Sequence, residues 1–242
     1  MENRTNPPLK TWENFKYGGL FGVLGPVIIC LGMLIAALGY VGVQGQSYNL
    51  LNHFVSELGE IGTSDLALAF NLSLVLGGLF NGCFMTWLPF QFQGWLRYPL
   101  LLIGFSAAFF GSLVGIFPMN ALDQHIFVAL LFFDLGLLTA LAYSIVILAS
   151  KKHSLPKWLA IPGIVNTATF FVFTNFPSQW EEGVDFQDGM GGLLANRPDF
   201  IPLALMEWVV ILGVIAWFLM MGIYFLARNN PFVVLKSGDS QE

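Results

Sequence analysis

The chain has 242 residues, 56% hydrophobic and 10% charged, with a net charge of −5 and a mean hydropathy of +0.70. A soluble globular domain carries about 25% charged residues, so this composition argues against one and for a polytopic membrane protein. An acidic chain with no basic stripe to neutralise phosphates also argues against nucleic acid as a partner.

Residues 1–18 read as a charged, proline-containing cytoplasmic tail (Arg4, Pro7, Pro8, Lys10, Lys16). Six apolar runs follow, at roughly 19–43, 65–90, 98–118, 122–150, 158–177 and 203–228, and residues 229–242 form a second tail. A membrane span needs about 20 apolar residues. In lipid each backbone N–H and C=O must be satisfied within its own segment or a closed barrel, so these Leu-, Ala-, Gly- and Phe-rich runs predict helices. The expected fold is therefore all-α, a six-helix transmembrane domain over 19–228. The first run exceeds the about 7–15 residues of a signal-peptide apolar core and reads as an uncleaved span. Cys30 and Cys83 lie inside apolar runs and read as small hydrophobes rather than a disulfide.

Between the first two runs stands LLNHFVSELGEIG, residues 50–62, a histidine and two glutamates beside a greasy span. Leu51, Phe54, Val55, Leu58 and Ile61 recur with a helical period, and Asn49, Asn52, His53, Ser56, Glu57 and Glu60 fill the gaps. The pattern predicts a short amphipathic helix on the outer face. His53 and Glu57, four apart, would share one side of it and hydrogen-bond, with no lysine or arginine in reach. Gly59 is the expected stop, and Thr63 or Ser64 the expected N-cap of span two. The helix is either an amphipathic linker with a solvated face or a polar plug over a pocket.

With the N-terminus inside, Arg4, Lys10, Lys16, Arg97, Lys151, Lys152, Lys157, Arg228 and Lys236 are cytoplasmic and Arg197 alone is outside, as the positive-inside bias requires. Glu57, Glu60, Asp65, Asp123, Glu181, Glu182, Asp185, Asp188 and Asp199 face out. Counting depth along each helix at 1.5 Å per residue places Asn71, Ser112, His125, Asn175 and Glu207 in the outer third, with Asp123 at the turn between spans three and four. The candidate outer cluster is thus His53, Glu57, Asn71, Ser112, Asp123, His125 and Glu207; His53, Glu57, Asp123 and His125 are its candidate acid–base groups. His153, in the turn SKKHSLPK, reads as a solvated loop residue.

Asp134, in LLFFDLGLL, falls near the midplane, where an ionised carboxylate costs at least ~2.5–3.5 kcal/mol. It is expected to be protonated or hydrogen-bonded by Ser106, Asn166, Thr167 or Thr169, either as a tie between helices or as a proton or ion site. Glu207 lies just past Pro202, where a helix N-terminus favours a carboxylate. The glycines of LGGLFNG (76–82) and GSLVG (111–115) suit close helix approach. GIFP (115–118) and TNFP (174–177) each end a span at a proline. NLS at 71–73 lies within a span and is no glycosylation acceptor. There is no Walker loop, G-x-S-x-G, H-E-x-x-H or C-x-x-C. The acidic, glycine-rich outer loop 178–202 carries Trp180 and Phe186 and reads as a lid, a partner-binding loop or a connector.

The run Asn52-His53-Phe54-Val55-Ser56-Glu57-Leu58-Gly59, then LFNG in span two, GIFP ending span three and His125 opening span four, resembles the six-span integral-membrane family catalogued as domain of unknown function 998. The resemblance spans residues 15 to 228 and implies fold and topology without a reaction. Three functions compete. The first is a non-catalytic subunit or assembly factor of a larger membrane complex, favoured by the missing catalytic signatures. The second is a metal-dependent membrane lipid hydrolase using His53, His125, Asp123 and Glu57, although zinc wants three or four protein ligands and no metal is expected. The third is a small proton-coupled transporter using Asp134 and Glu207. Expected partners are membrane lipids and other integral-membrane subunits, and the expected location is the plasma membrane. No cofactor is expected beyond bound lipids; in a pigment or redox complex the chain would touch its partner's cofactors.

Overall fold

The structure is a computed structural model that describes residues 17–42, 45–92, 94–150, 155–175 and 197–228. Both tails, His153, and residues 176–196 of the loop lie outside the described residues. Those described contain helices and turns and no strand. The helices are α1 (Gly18–Leu38), α2 (Ala67–Trp87), α3 (Arg97–Ile116), α4 (Leu122–Ala149), α5 (Ala160–Thr174) and α6 (Pro202–Arg228). Large apolar side chains such as Leu34, Leu79, Leu102, Phe127, Ile161 and Ile223 stand exposed along them. That is the surface of a membrane-type helical protein, whose hydrophobic exterior is covered by lipid. Among the described residues five helices are long and apolar enough to cross a membrane; α5, with 15 residues, is shorter than the span expected at 158–177.

Each helix packs against the next, and α6 returns to pack against α1, so the six form a closed up-and-down ring. Closure depends on missing side chains. A Cβ on Gly222 of α6 would stand 2.7 Å from the backbone carbon of Gly22 on α1, and one on Gly19 would stand 2.8 Å from the Gly222 carbonyl oxygen. Small residues let helices approach where lipid offers no hydrophobic drive to associate. Four glycines of LGGLFNG and GSLVG serve the same end, Gly77 against Gly25, Gly78 against Ser112, Gly111 against Phe132 and Gly115 against Asn71.

Alternation around the ring brings Arg97, Lys157 and Arg228 to one end, the basic end, and Arg197 to the other. At the basic end Phe84, Trp87, Phe92, Tyr143, Trp217 and Phe225 form a buried aromatic cluster, with the Trp87 and Phe225 rings edge-on at 4.7 Å. The Lys157 ammonium donates to the carbonyls of Ile147, Leu148 and Ser150 (2.6–2.7 Å), satisfying the end of α4.

The opposite end differs from the sequence expectation. Residues 50–62 form no amphipathic helix along the surface. A single 3-10 turn, Val55–Gly59, sinks into the mouth of the ring with Val55, Glu57, Leu58 and Gly59 buried. The reason lies in its donors. Side-chain oxygens take the N–H groups an α-helix would have used: Asn49 that of Leu51, Glu57 that of Phe54, Glu207 that of Val55 and Asn120 that of Ile61. Gly59 does end the turn. Neither Thr63 nor Ser64 caps α2, which begins at Ala67. The Thr63 hydroxyl donates to the Glu60 carbonyl, and that of Ser64 to the Ala36 carbonyl on α1.

Candidate binding site: a polar plug over an axial cavity

The plug, residues 45–66, is held by bonds that cross the ring. Glu57 is fully buried and accepts the Tyr40 hydroxyl (2.9 Å), the Phe54 N–H (2.8 Å) and both terminal nitrogens of Arg197 (2.8 and 3.1 Å). This two-pronged fork is the strong form of a charge-assisted hydrogen bond. Arg197 donates to the Asn52 carbonyl as well, the Asn52 amide to the Pro198 carbonyl, and the Ile201 N–H to the Leu51 carbonyl. The segment entering α6 therefore clasps the plug from outside. A cation is in reach of Glu57 after all, and the expected His53–Glu57 bond is not made.

His53 is buried between the rings of Tyr40 and Tyr48, each 5.1 Å from it. Its Nδ1 lies 2.7 Å from Asn52 Oδ1 and 3.1 Å from the Asn49 carbonyl oxygen, with the Asn49 N–H farther off at 3.3 Å; the two closer acceptors favour a proton on Nδ1. Nε2, an acceptor in that tautomer, is buried without a partner among the described residues. Burial lowers the His53 pKa and the Arg197 charge lowers it further, against an upward pull from Glu57, so the ring is neutral. Burial likewise raises the pKa of both tyrosine hydroxyls and of the Glu60 carboxyl. Tyr48 donates to the Phe54 carbonyl (2.7 Å) and accepts from the Trp208 indole (3.1 Å).

Beneath the plug the centre of the ring holds a cavity of about 120 Å³, lined by all six helices and by Val55 and Ser56. On α2 its wall runs through Phe70, Leu74, Gly78, Asn81 and Met85, a rise of about 22 Å along the helix. Most of the wall is apolar. Glu207 and His125 line the end nearest the plug. Glu207 accepts the Val55 N–H (2.7 Å), and the Ser56 N–H and hydroxyl lie against the same carboxylate. The expected capping of its own helix is replaced by a bond to the plug. His125 places Nδ1 2.8 Å from the Phe117 carbonyl oxygen at the end of α3, which assigns the proton there and leaves Nε2 as an acceptor. Deeper in the cavity, Asn81 Oδ1 and the Trp217 indole N–H have no partner among the described residues.

The expected cluster is thus partly assembled. His53, Glu57, Asn71 (whose amide donates to the Gly59 carbonyl, 2.9 Å) and Glu207 join the plug, and His125 shares the cavity with Glu207. Ser112 spends its hydroxyl on the Ala108 carbonyl within its helix. Asp123 is exposed in a groove between α3 and α4, outside the ring, and Asn175 is exposed at the end of α5. Asp134 corrects the expectation most. It faces outward, in line with the exposed Phe127, Leu130, Leu138, Leu141 and Ile145, and meets none of Ser106, Asn166, Thr167 or Thr169. It therefore cannot share a relay inside the ring with Glu207. Among the described residues no three metal-ligating side chains come together.

Arg197, Tyr40, Tyr48, Trp208 and Ser56 belong to the site and were not anticipated. Arg197 had left a signal, being the one basic residue on the acidic side. The sequence model of a family described as "Protein of unknown function (DUF998)" matches residues 23–224, which reach into all six helices and include the plug and the cavity lining. No curated protein and no solved structure matches the chain.

Proposed function

We propose for this chain, which belongs to the DUF998 family, that it is a membrane-embedded binding protein. In this reading it is a six-span ring with both termini cytoplasmic that holds an amphipathic molecule in its axial cavity. One observation carries the reading: the cavity wall is apolar over most of about 22 Å, and Glu207 and His125 line it together beneath the plug. Apolar sites with a few convergent polar groups orient their ligands by those groups. A cavity of about 120 Å³ admits a small amphiphile, its polar end under the plug and a short apolar tail against the wall. Native mass spectrometry of the protein released from mild detergent should show a bound amphiphile. Ala129→Phe, which fills the wall, should remove the adduct while thermal stability is kept. Wild-type protein with no adduct, and no binding of added amphiphiles, overturns the reading.

A second function, as a non-catalytic subunit of a larger complex in the plasma membrane, is favoured by Asp134. It lies twelve residues, about 18 Å, along the 28-residue α4, on the lipid-facing side, with no partner among the described residues. Intramembrane acids almost always face protein or water, and exposure to lipid costs at least ~2.5–3.5 kcal/mol when ionised. The complementary occupant is a helix of another membrane protein with a lysine or arginine at the same depth. A protein that co-purifies with wild type and is lost from Asp134→Leu supports the assignment. An unchanged set of partners, or a dimer of this chain alone, sinks it.

A further inference from the structure

The chemistry at the plug end of the cavity narrows what its occupant is. Each polar group there can be assigned a direction. Glu207 gives one oxygen to the Val55 N–H and has the Ser56 N–H and hydroxyl against it, so its carboxyl serves as an acceptor where it lines the cavity. His125, donating from Nδ1 to the Phe117 carbonyl, lines the same cavity and keeps Nε2 as an acceptor. The donors at this end, the N–H and hydroxyl of Ser56, already lie against Glu207. Among the described residues no lysine or arginine lines the cavity. The nearest cation, Arg197, has both terminal nitrogens committed to Glu57 and the Asn52 carbonyl above the turn.

We propose that the ligand's polar end is an uncharged or cationic hydrogen-bond donor, a primary amine or a hydroxyl, and that the site rejects carboxylates and phosphates. The assignment rests on the amphiphile-binding reading above and adds the headgroup to it. A phosphate brought against Glu207 would be a buried anion facing acceptors with no cation to offset it, an arrangement that burial makes worse than it is in water. An ammonium would complete an ion pair with Glu207 and donate a further bond to His125 Nε2. A hydroxyl would donate to one acceptor and leave the other to water. Glu207 also fastens Val55, so a donor headgroup bound there presses on the underside of the plug.

The proposal is tested with four probes of one short chain length that the cavity can hold, butylamine, butanol, butanoate and butyl phosphate, added to the full-length protein in an uncharged detergent at neutral pH. Binding is read by tryptophan fluorescence and by thermal shift. The amine and the alcohol should bind at least about tenfold more tightly than the two anions. Glu207→Gln should lower amine affinity by about tenfold and leave the alcohol within a factor of about three. If that variant fails to fold, the ranking of the four probes on wild type still decides. Butanoate or butyl phosphate binding as well as the amine overturns the headgroup assignment and leaves amphiphile binding intact. If none of the four binds, the reading on which the assignment rests fails with it.

Discussion

Glu57 and Arg197 are 140 residues apart in the chain and form one buried fork. Removing one partner of such a pair strands the other charge, which costs roughly 3–5 kcal/mol. Arg197→Ala should destabilise the protein by that order in denaturant titrations in detergent. Arg197→Lys should recover only part, because an ammonium cannot make both prongs at once. An Arg197→Ala protein as stable as wild type would mean that the plug is held by its other bonds. His53 supplies a pH dependence. Its folded pKa lies below the ordinary 6.5, so the unfolded chain takes up a proton first. Its contribution is therefore complete above 6.5 and is lost as pH falls through the folded value. Glu60, raised by burial above 4.5, slopes the other way, its contribution full below 4.5 and lost as pH rises through its folded value. Melting temperatures of wild type and His53→Phe should converge as pH drops below 6.5, and parallel curves would refute a neutral buried His53.

Among the elements, the contact between α1 and α6 is the one that turns a row of helices into a ring. Gly222→Leu would drive a side chain into the backbone of Gly22 and Gly19. Overpacking costs typically 1–3 kcal/mol, and here backbone rather than a flexible side chain must yield. Gly82→Ala is the control, since its Cβ would meet nothing closer than 3.7 Å, and it should leave the melting temperature unchanged or slightly raised. Equal effects of the two substitutions would contradict close packing at the seam. The helices themselves were legible because lipid leaves the backbone so few options: the expected start of α4 at 122 is the observed one, and that of α6 is off by one residue. The plug was legible as a polar segment and illegible as a shape. Its geometry depends on Glu207 and Arg197, whose distance in sequence no local period records. The same blindness hid the outward turn of Asp134. Depth along a helix follows from counting, but which side of α4 meets α3 and α5 is decided by the ring.

For the molecule as a whole, both ends of the chain and the basic end of the ring belong on the cytoplasmic side in the proposed topology, by the nine-to-one distribution of its basic residues. In a background with Cys30 and Cys83 replaced by alanine, Asp188→Cys should react with a membrane-impermeant thiol reagent added outside, and Lys152→Cys should not. The reverse pattern would invert the orientation. Ring closure also bears on how the protein is made. Val55 must wait for Glu207, 152 residues later in the chain, and at about 5–20 residues per second that is roughly 8–30 s of synthesis. Through that interval Glu57 has no guanidinium, and the mouth stands open beside an unfinished wall of helices. The nascent protein thus passes through an incomplete crescent with its interior exposed at the side. An amphiphile from the surrounding bilayer can be enclosed at that stage, as the last helix arrives, without having to pass the finished plug.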